Sequence, residues 1–284
     1  MTFRTRFAPS PTGPLHLGHA YSALLAYDLA QTAGGEFLLR IEDIDQSRAR
    51  PEWEAQIYDD LGWLGVVWET PVMRQSDRMA AYDTALDTLW NRGLLYRCHC
   101  SRADIAAAAS APQEGAPLLG PDGIIYPGTC RPNQPCTGPR PRDIPLRLDM
   151  ARACIDLDWP LHFLEEGNGT DEIIAFSAKD MIETVGDIVL ARRDMGTSYH
   201  LSVVIDDAAQ GISHVVRGLD LIEATPIHIM LQELLDLPHP TYHHHRLIRD
   251  DTGKRLAKRD DARAIKLFRD EGASPSDIRA MAKP

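Results

Sequence analysis

The sequence predicts an α/β fold built on an open parallel sheet and broken by an irregular insertion. Three observations carry this expectation. Strand, helix and strand patterns follow one another over residues 2–41. Residues 106–141 then lose all periodicity while gathering Ala, Gly, Pro and cysteine. Alternating and helical patterns return from Ile144 onward. A strand–helix–strand order is the βαβ unit of parallel sheets.

Thr2–Ala8 reads as a short strand entering the Pro/Gly-rich loop Pro9–Pro14. Leu17, Tyr21, Leu24, Leu25 and Leu29 recur at helical spacing, which predicts a helix over 17–32 stopped by Gly34 and Gly35. Glu36–Ile41 is apolar enough for a buried parallel strand. Pro51 suits the first turn of a second helix, with Gly62 expected to close it. A third helix is expected over Asp77–Asn91, with Tyr82, Leu86, Leu89 and Trp90 on one face and Gly93 as its cap. Ile144–Asp149 and Ala153–Leu157 alternate like strands, and short β-like runs between Ile173 and Val216 include Val203–Ile205 and Ile212–Val216. Thr225 and Pro226 read as N-cap and first residue of a helix striped by Ile227, Met230, Leu231, Leu234 and Leu235. His239–Arg249 then leads to a turn at Asp251–Gly253 and a basic segment.

A chain of 284 residues can form one large domain or two modest ones. No N-terminal apolar run resembles a signal peptide, and Ala20–Leu29 is too short and too polar to span a bilayer. A cytoplasmic protein with no membrane partner is expected. The net charge of −11 argues against nucleic-acid binding by the whole surface. Positive charge does concentrate from Arg246 to Arg269, but Asp250, Asp251, Asp260 and Asp261 are interleaved, so charge alone reads as a solvated helix face. Five cysteines in such a chain are better explained as thiols or metal ligands than as disulfides. Cys98, Cys100, Cys130 and Cys136 share one short region, whereas Cys154 falls in an expected strand as a small core residue.

Two motifs at opposite ends of the chain suit a nucleoside triphosphate. The first is His16-Leu-Gly18-His19, where the first strand gives way to its helix. A helix N-terminus there offers N–H groups and a positive dipole end to phosphate, and Gly18 allows close approach. Two histidines three apart can donate hydrogen bonds to phosphate oxygens. The second motif is Gly253-Lys-Arg255-Leu-Ala-Lys258-Arg259, a basic stretch that could neutralise a departing pyrophosphate. Beside these motifs, Arg6, Glu42, Tyr199 and Arg217 would suit an acidic amino acid, since arginine binds carboxylate and glutamate can hold an ammonium group.

Arg6-Phe7-Ala8-Pro9-Ser10 with the motif that follows, Arg40–Asp45, Val203–Asp207, Val216–Leu221 and Arg255–Arg259 together resemble the glutamyl-tRNA synthetase family. The resemblance implies a class I Rossmann-type catalytic domain split by a connective insertion, and ATP-dependent formation of glutamyl-adenylate with Mg²⁺. It places Arg6, Phe7, Ala8, Pro9, Ser10, Glu42, Tyr199 and Arg217 around glutamate. His16, Gly18, His19, Arg255 and Lys258 would serve ATP, with His16, His19 and Lys258 in the catalytic role. Arg255 stands where the family usually has lysine and Ala257 where it has serine, while the charge at Lys258 is kept. Only Asp260–Pro284 follow the basic motif, so the chain resembles the short branch of the family. That branch transfers glutamate to the queuosine base in the anticodon of tRNA-Asp. It also implies a structural zinc held by Cys98, Cys100, Tyr126 and Cys130, with Cys136 or His99 as possible substitutes. The expected division is 1–95 and 173–240 for the two catalytic halves and 96–172 for the zinc-bearing insertion. The basic ATP loop and a short helical tail occupy 241–284, with no anticodon-binding domain. A monomer is expected, with ATP, L-glutamate and queuosine-bearing tRNA-Asp as partners.

Overall fold

The computed structural model describes residues 2–109, 119–167, 169, 171–248 and 263–282. β1 (Arg4–Phe7) and β2 (Glu36–Ile41) run parallel, from Arg4↔Glu36 to Phe7↔Leu39, with α1 (Leu17–Thr32) crossing between them. The glycine stop acts as predicted. Gly34 takes φ +61°, and a Cβ on Gly35 would lie 2.1 Å from the Phe3 carbonyl oxygen. α2 (Pro51–Trp63) has Pro51 in its first turn, and β3 (Met73–Arg74) adds parallel to β2. Gly62 lies inside this helix, and the chain leaves it instead through Gly65 at φ +79°.

Asp60 of α2 is buried and carries no close ion pair among the described residues, with the Gln56 side chain as a weak hydrogen-bonding neighbour. Burial and neighbouring Asp59 push its pKa up to about 6, only partly offset by Arg269. The folded state therefore holds this proton more tightly than the unfolded chain, so stability is lost as pH rises from the ordinary carboxyl range through about 6. Asp60→Asn is expected to raise the melting temperature at pH 8 by several degrees, about 2–4 °C per kcal/mol, and by little near pH 4. Equal shifts at both pH values in thermal melts would rule this account out.

A 3₁₀ turn over Gln75–Arg78 leads into α3 (Met79–Asn91), which buries Tyr82, Leu86, Leu89 and Trp90 as expected. The insertion follows with β4 (Leu95–Arg97), α4 (Arg102–Ala109), β5 (Leu119–Gly120), β6 (Gly123–Ile124) and β7 (Leu146–Leu148). The strand expected over Ala153–Leu157 is instead the end of α5 (Met150–Ile155) and the residues after it. Asp149 caps this helix by accepting the Arg152 N–H, and Ala153 and Cys154 face the core.

β8 (Leu161–Glu165) and β9 (Glu172–Phe176) pair antiparallel, followed by α6 (Ala178–Asp180) and β10 (Val189–Ala191). The run Val203–Ile205 is helical, inside α7 (Tyr199–Ala209). Ser198 caps α7 through the Leu201 N–H, and Leu201, Val203 and Val204 are buried. β-Branched residues cost a helix only tenths of a kcal/mol each, whereas burying one contributes about 1.5–3 kcal/mol. β11 (His214–Gly218), α8 (Thr225–Leu234), β12 (Thr241–His245), α9 (Ile265–Asp270) and α10 (Pro275–Met281) complete the chain. Thr225 is the first residue of α8 rather than its cap. Ala224 takes the cap position without a side-chain bond, and the Thr225 hydroxyl serves Arg217 instead.

β11, β12 and β8 run parallel in that order, and β9 closes the edge antiparallel. This sheet meets β1 through Ser213 and Arg4, with the Ser213 N–H on the Arg4 carbonyl at 2.9 Å and the Arg4 N–H on Ser213 Oγ at 2.7 Å. β10, β7 and β4 form a separate antiparallel sheet, in which β10, from beyond residue 172, joins two strands of the insertion. One apolar core lies around α1, β1, β2 and α2, and a second around α3, β7, β8, α7 and α8. No helix of the described residues is long and apolar enough to cross a membrane.

Candidate active site and metal centre

The crossover at the carboxyl end of β1, where ligands of open parallel sheets commonly bind, builds the first part of the candidate site. His16 is the N-cap of α1, and its Nδ1 accepts the Gly18 N–H at 3.1 Å. The His16 N–H in turn donates to Nδ1 of His19 at 3.2 Å, and the two rings stack with centroids 3.8 Å apart. With both Nδ1 atoms accepting, each neutral ring carries its proton on Nε2. The pair can therefore present N–H donors at a helix N-terminus. Arg255 and Lys258 lie outside the described residues, but the flanks of their segment are placed. Nε2 of His245, at the end of β12, is 2.6 Å from Ser22 Oγ of α1. Beyond the segment, Ala264 bridges to His16, and the Ile265 N–H donates to the Leu15 carbonyl at 2.9 Å. The described residues on both sides of that segment thus contact α1 or the residues that lead into it.

The second part is a buried lattice of arginines and carboxylates. Arg6 on β1 grips Asp207 side-on, Nε to Oδ1 at 2.9 Å and Nη2 to Oδ2 at 3.2 Å. Arg40 on β2 reaches the same Asp207 at 2.6 Å and Glu42 at 3.1 Å. Burial alone would raise the Asp207 carboxyl, but Arg6 and Arg40 hold it below the usual range. Burial dominates at Glu42 and raises it despite the same two arginines. The preceding residue, Asp206, accepts the Tyr82 hydroxyl at 2.6 Å, the Gln75 amide at 3.1 Å and the Arg78 guanidinium at 3.1 Å. Two adjacent carboxylates of α7 thus bind different parts of the protein. Sequence reasoning did not single out Asp206, Asp207 or Arg40, although the first two end the quoted Val203–Asp207 run.

Tyr199 opens α7, with its ring against those of His200 and His228. Burial raises its phenol, and Arg217, Glu42, Arg6 and Asp207 all act on it electrostatically. Arg6 Nη1 reaches the Val216 carbonyl next to Arg217 at 3.5 Å, and Arg40 joins Asp207 to Glu42. The Tyr199 ring lies 5.7 Å from that of His228, a partner of Arg217, so the four predicted residues are linked through shared neighbours. Phe7 and Pro9 are buried, Ala8 is half-buried and Ser10 exposed, while the Pro9 carbonyl accepts the Glu42 N–H at 3.0 Å. Arg217, on β11, does not offer an open fork. Its Nε donates to His244 Nε2 at 3.0 Å, Nη1 to His228 Nδ1 at 3.0 Å, and Nη2 to Thr225 Oγ1 at 2.7 Å and the Leu221 carbonyl at 3.2 Å.

The metal candidates also converge. The Sγ atoms of Cys98, Cys100 and Cys130 all lie within 4.8 Å of one another. The Tyr126 hydroxyl is 3.3 Å from Cys100 Sγ and 3.7 Å from Cys98 Sγ, and it accepts the Cys130 N–H at 2.8 Å. Burial raises the Cys130 thiol, but hydrogen bonds with Tyr126 and the His99 N–H bring it down to about 7. Three thiols and a phenol oxygen around one point form a four-donor set that fits zinc. Arg147 donates to Cys98 Sγ at 3.3 Å and lies over the Tyr126 ring, a charge suited to an anionic thiolate cluster. Among the described residues Cys136 is not part of this group, and the exposed His99 contributes its backbone N–H.

A split parallel sheet with HxGH at its first strand–helix turn and a buried network of arginines and carboxylates fits the catalytic domain of a nucleotide-dependent, amino-acid-activating enzyme. Residues 2–116 and 164–282 match the sequence model described as tRNA synthetases class I (E and Q), catalytic domain, and the chain belongs to that family. It is 62% identical over 98% of both chains to the glutamyl-Q tRNA(Asp) synthetase of Rhodobacter capsulatus. With the protein of the same name from Geobacter sulfurreducens it shares 41% identity over 93% of this chain and 78% of that one. A crystal structure of a glutamate tRNA ligase from Elizabethkingia meningosepticum, in complex with its amino acid, superposes with a TM-score of 0.76 at 27% identity. The match covers 99% of this chain but only 60% of that ligase.

Proposed function

We propose that this protein activates L-glutamate with ATP and transfers it to the queuosine base in the anticodon of tRNA-Asp. The observation that carries the reading is the network that links Arg6 to Glu42 through Asp207 and Arg40, and Tyr199 to Arg217 through His228, in a fold whose first strand leads into HxGH. The near full-length similarity to a glutamyl-Q tRNA(Asp) synthetase supports the choice of acceptor.

Glu42 takes the α-ammonium group. The N–H donors left on Arg6 and Arg217 take the side-chain carboxylate, because an arginine on the α-carboxylate would blunt its attack. Tyr199, kept as a neutral phenol by burial, can donate to the same carboxylate. The α-carboxylate then points towards α1, where it attacks the α-phosphorus of ATP in line and pyrophosphate leaves. Mg²⁺ accompanies ATP and offsets phosphate charge. His16, His19 and Lys258 stabilise the phosphates, and the protein works by positioning and electrostatics. A hydroxyl of the queuosine ring next attacks the mixed anhydride, and AMP leaves. Cys98, Cys100, Tyr126 and Cys130 hold a structural zinc that pins the insertion.

Purified protein incubated with ATP, Mg²⁺ and labelled glutamate is expected to label tRNA-Asp only when queuosine is present. Labelling of tRNA-Glu at its 3′ end would overturn the acceptor assignment. If basic side chains hold the anticodon stem-loop through phosphates, tRNA affinity falls with salt, the logarithmic slope reporting the number of contacts.

A further inference from the structure

We propose that Glu165 is a positioning residue for Arg217, acting through His244, and so sets the glutamate specificity of the pocket. The inference rests on the reading above that Arg217 binds glutamate. It concerns a carboxylate on β8, a strand that contributes none of the ligand-facing residues.

A guanidinium has donors only. The nitrogen of His244 that meets Arg217 Nε, its Nε2, is therefore the bare one, and the ring proton sits on Nδ1. That Nδ1 contacts Glu165 Oε2 in a short hydrogen bond. Oε1 of Glu165 accepts two backbone N–H groups, from His244 at 2.9 Å and Gly167 at 2.7 Å. Glu165 is 1% exposed; burial would raise its pKa, but the bonds from His244 and Gly167 hold it below the usual range. Burial foremost, with Arg217, lowers His244, so the relay is carboxylate, neutral imidazole, guanidinium. Gly167 completes the fit, because a Cβ there would lie 2.3 Å from the His244 carbonyl and 2.5 Å from Glu165 Oε1.

The other side of Arg217 is fixed in the same way. His228 accepts at Nδ1, so its proton is on Nε2, 3.1 Å from His200 Nδ1. The Tyr242 ring lies 5.2 Å from the guanidinium carbon and stacks on His244 at an interplanar angle of 2°. Four of the five N–H groups of Arg217 are thus engaged by the described residues, leaving one hydrogen on Nη1. An anion bonded directly to Arg217 would compete with the substrate carboxylate. Placing the anion behind an imidazole orients the arginine while its charge stays available to the ligand.

Glu165→Gln tests the relay with an isosteric change. The amide oxygen can keep both backbone bonds, but its NH₂ faces His244 Nδ1. The imidazole must then accept there and carry its proton on Nε2, against the Arg217 N–H. In ATP–pyrophosphate exchange the variant is expected to raise the KM for glutamate by about 10-fold or more, as losing a charge-assisted bond implies. The kcat and the KM for ATP should stay within about twofold, and discrimination against glutamine should fall. In the unaltered protein, ¹H–¹⁵N imidazole spectra should show His244 with its proton on Nδ1. A folded Glu165→Gln variant with unchanged glutamate KM, alongside an Arg217→Ala variant that raises it, overturns the relay. So does an Nε2–H tautomer at His244 in the unaltered protein, whether or not the variant folds. If Arg217→Ala itself leaves glutamate KM unchanged, the underlying assignment of the pocket is what fails.

Discussion

Arg217→Ala is expected to raise the KM for glutamate in ATP–pyrophosphate exchange by about 10²- to 10³-fold, the effect of truncating a buried charge partner. The KM for ATP should change by less than about twofold, because the hydrogen bonds of Arg217 among the described residues go to β12, α8 and the turn before it, and none goes to α1. Arg217→Lys should recover little, since one ammonium cannot replace four directed N–H groups. Equal losses for glutamate and ATP would remove Arg217 from the amino-acid pocket.

The second large effect concerns the metal. Replacing Cys98 and Cys100 together by serine should take zinc from about one equivalent per chain to near zero, since two ligands of four are lost. The small core of Tyr96, Cys98 and Tyr126 packs against Cys100. Its amides should lose hydrogen-exchange protection, while those of α1 and β2 keep theirs. Unchanged metal content by elemental analysis would refute the site.

Much of this architecture was legible in the sequence where the pattern was local. α1 and β2 occupy the residues that periodicity predicts, because apolar spacing and a glycine stop agree there. The HxGH pair and the clustered cysteines were legible for the same reason, as short spacings that chemistry constrains. Val203–Ile205 and Ala153–Leu157 misled because β-branched or alternating apolar residues also suit a fully buried helix face. Asp206 and Asp207 stand among 41 acidic residues, and nothing nearby in sequence marks their partners. The run Tyr242–His245 shows three histidines, but only the fold shows that His244 faces Arg217 and Glu165. The tip of an acidic side chain on β8 is placed by strand pairing, which has no local signature.

The adjacent carboxylates of α7 have a consequence for how the protein reaches its active form. Asp207 meets Arg6 across 201 residues and Arg40 across 167, and Asp206 meets Tyr82 across 124. Contacts so distant along the chain are entropically late, because long loops must close before they return any energy. A ribosome-bound chain that has emerged only as far as β10 therefore has HxGH but no pocket for an amino acid. Capacity to bind glutamate requires α7 docked on β1 and β2 and Arg217 held by α8 and β12, and so arises near the end of folding. Substrate affinity is for that reason a probe of completed folding, and glutamate acts as a ligand of the native state alone, shifting the folding equilibrium towards it by mass action.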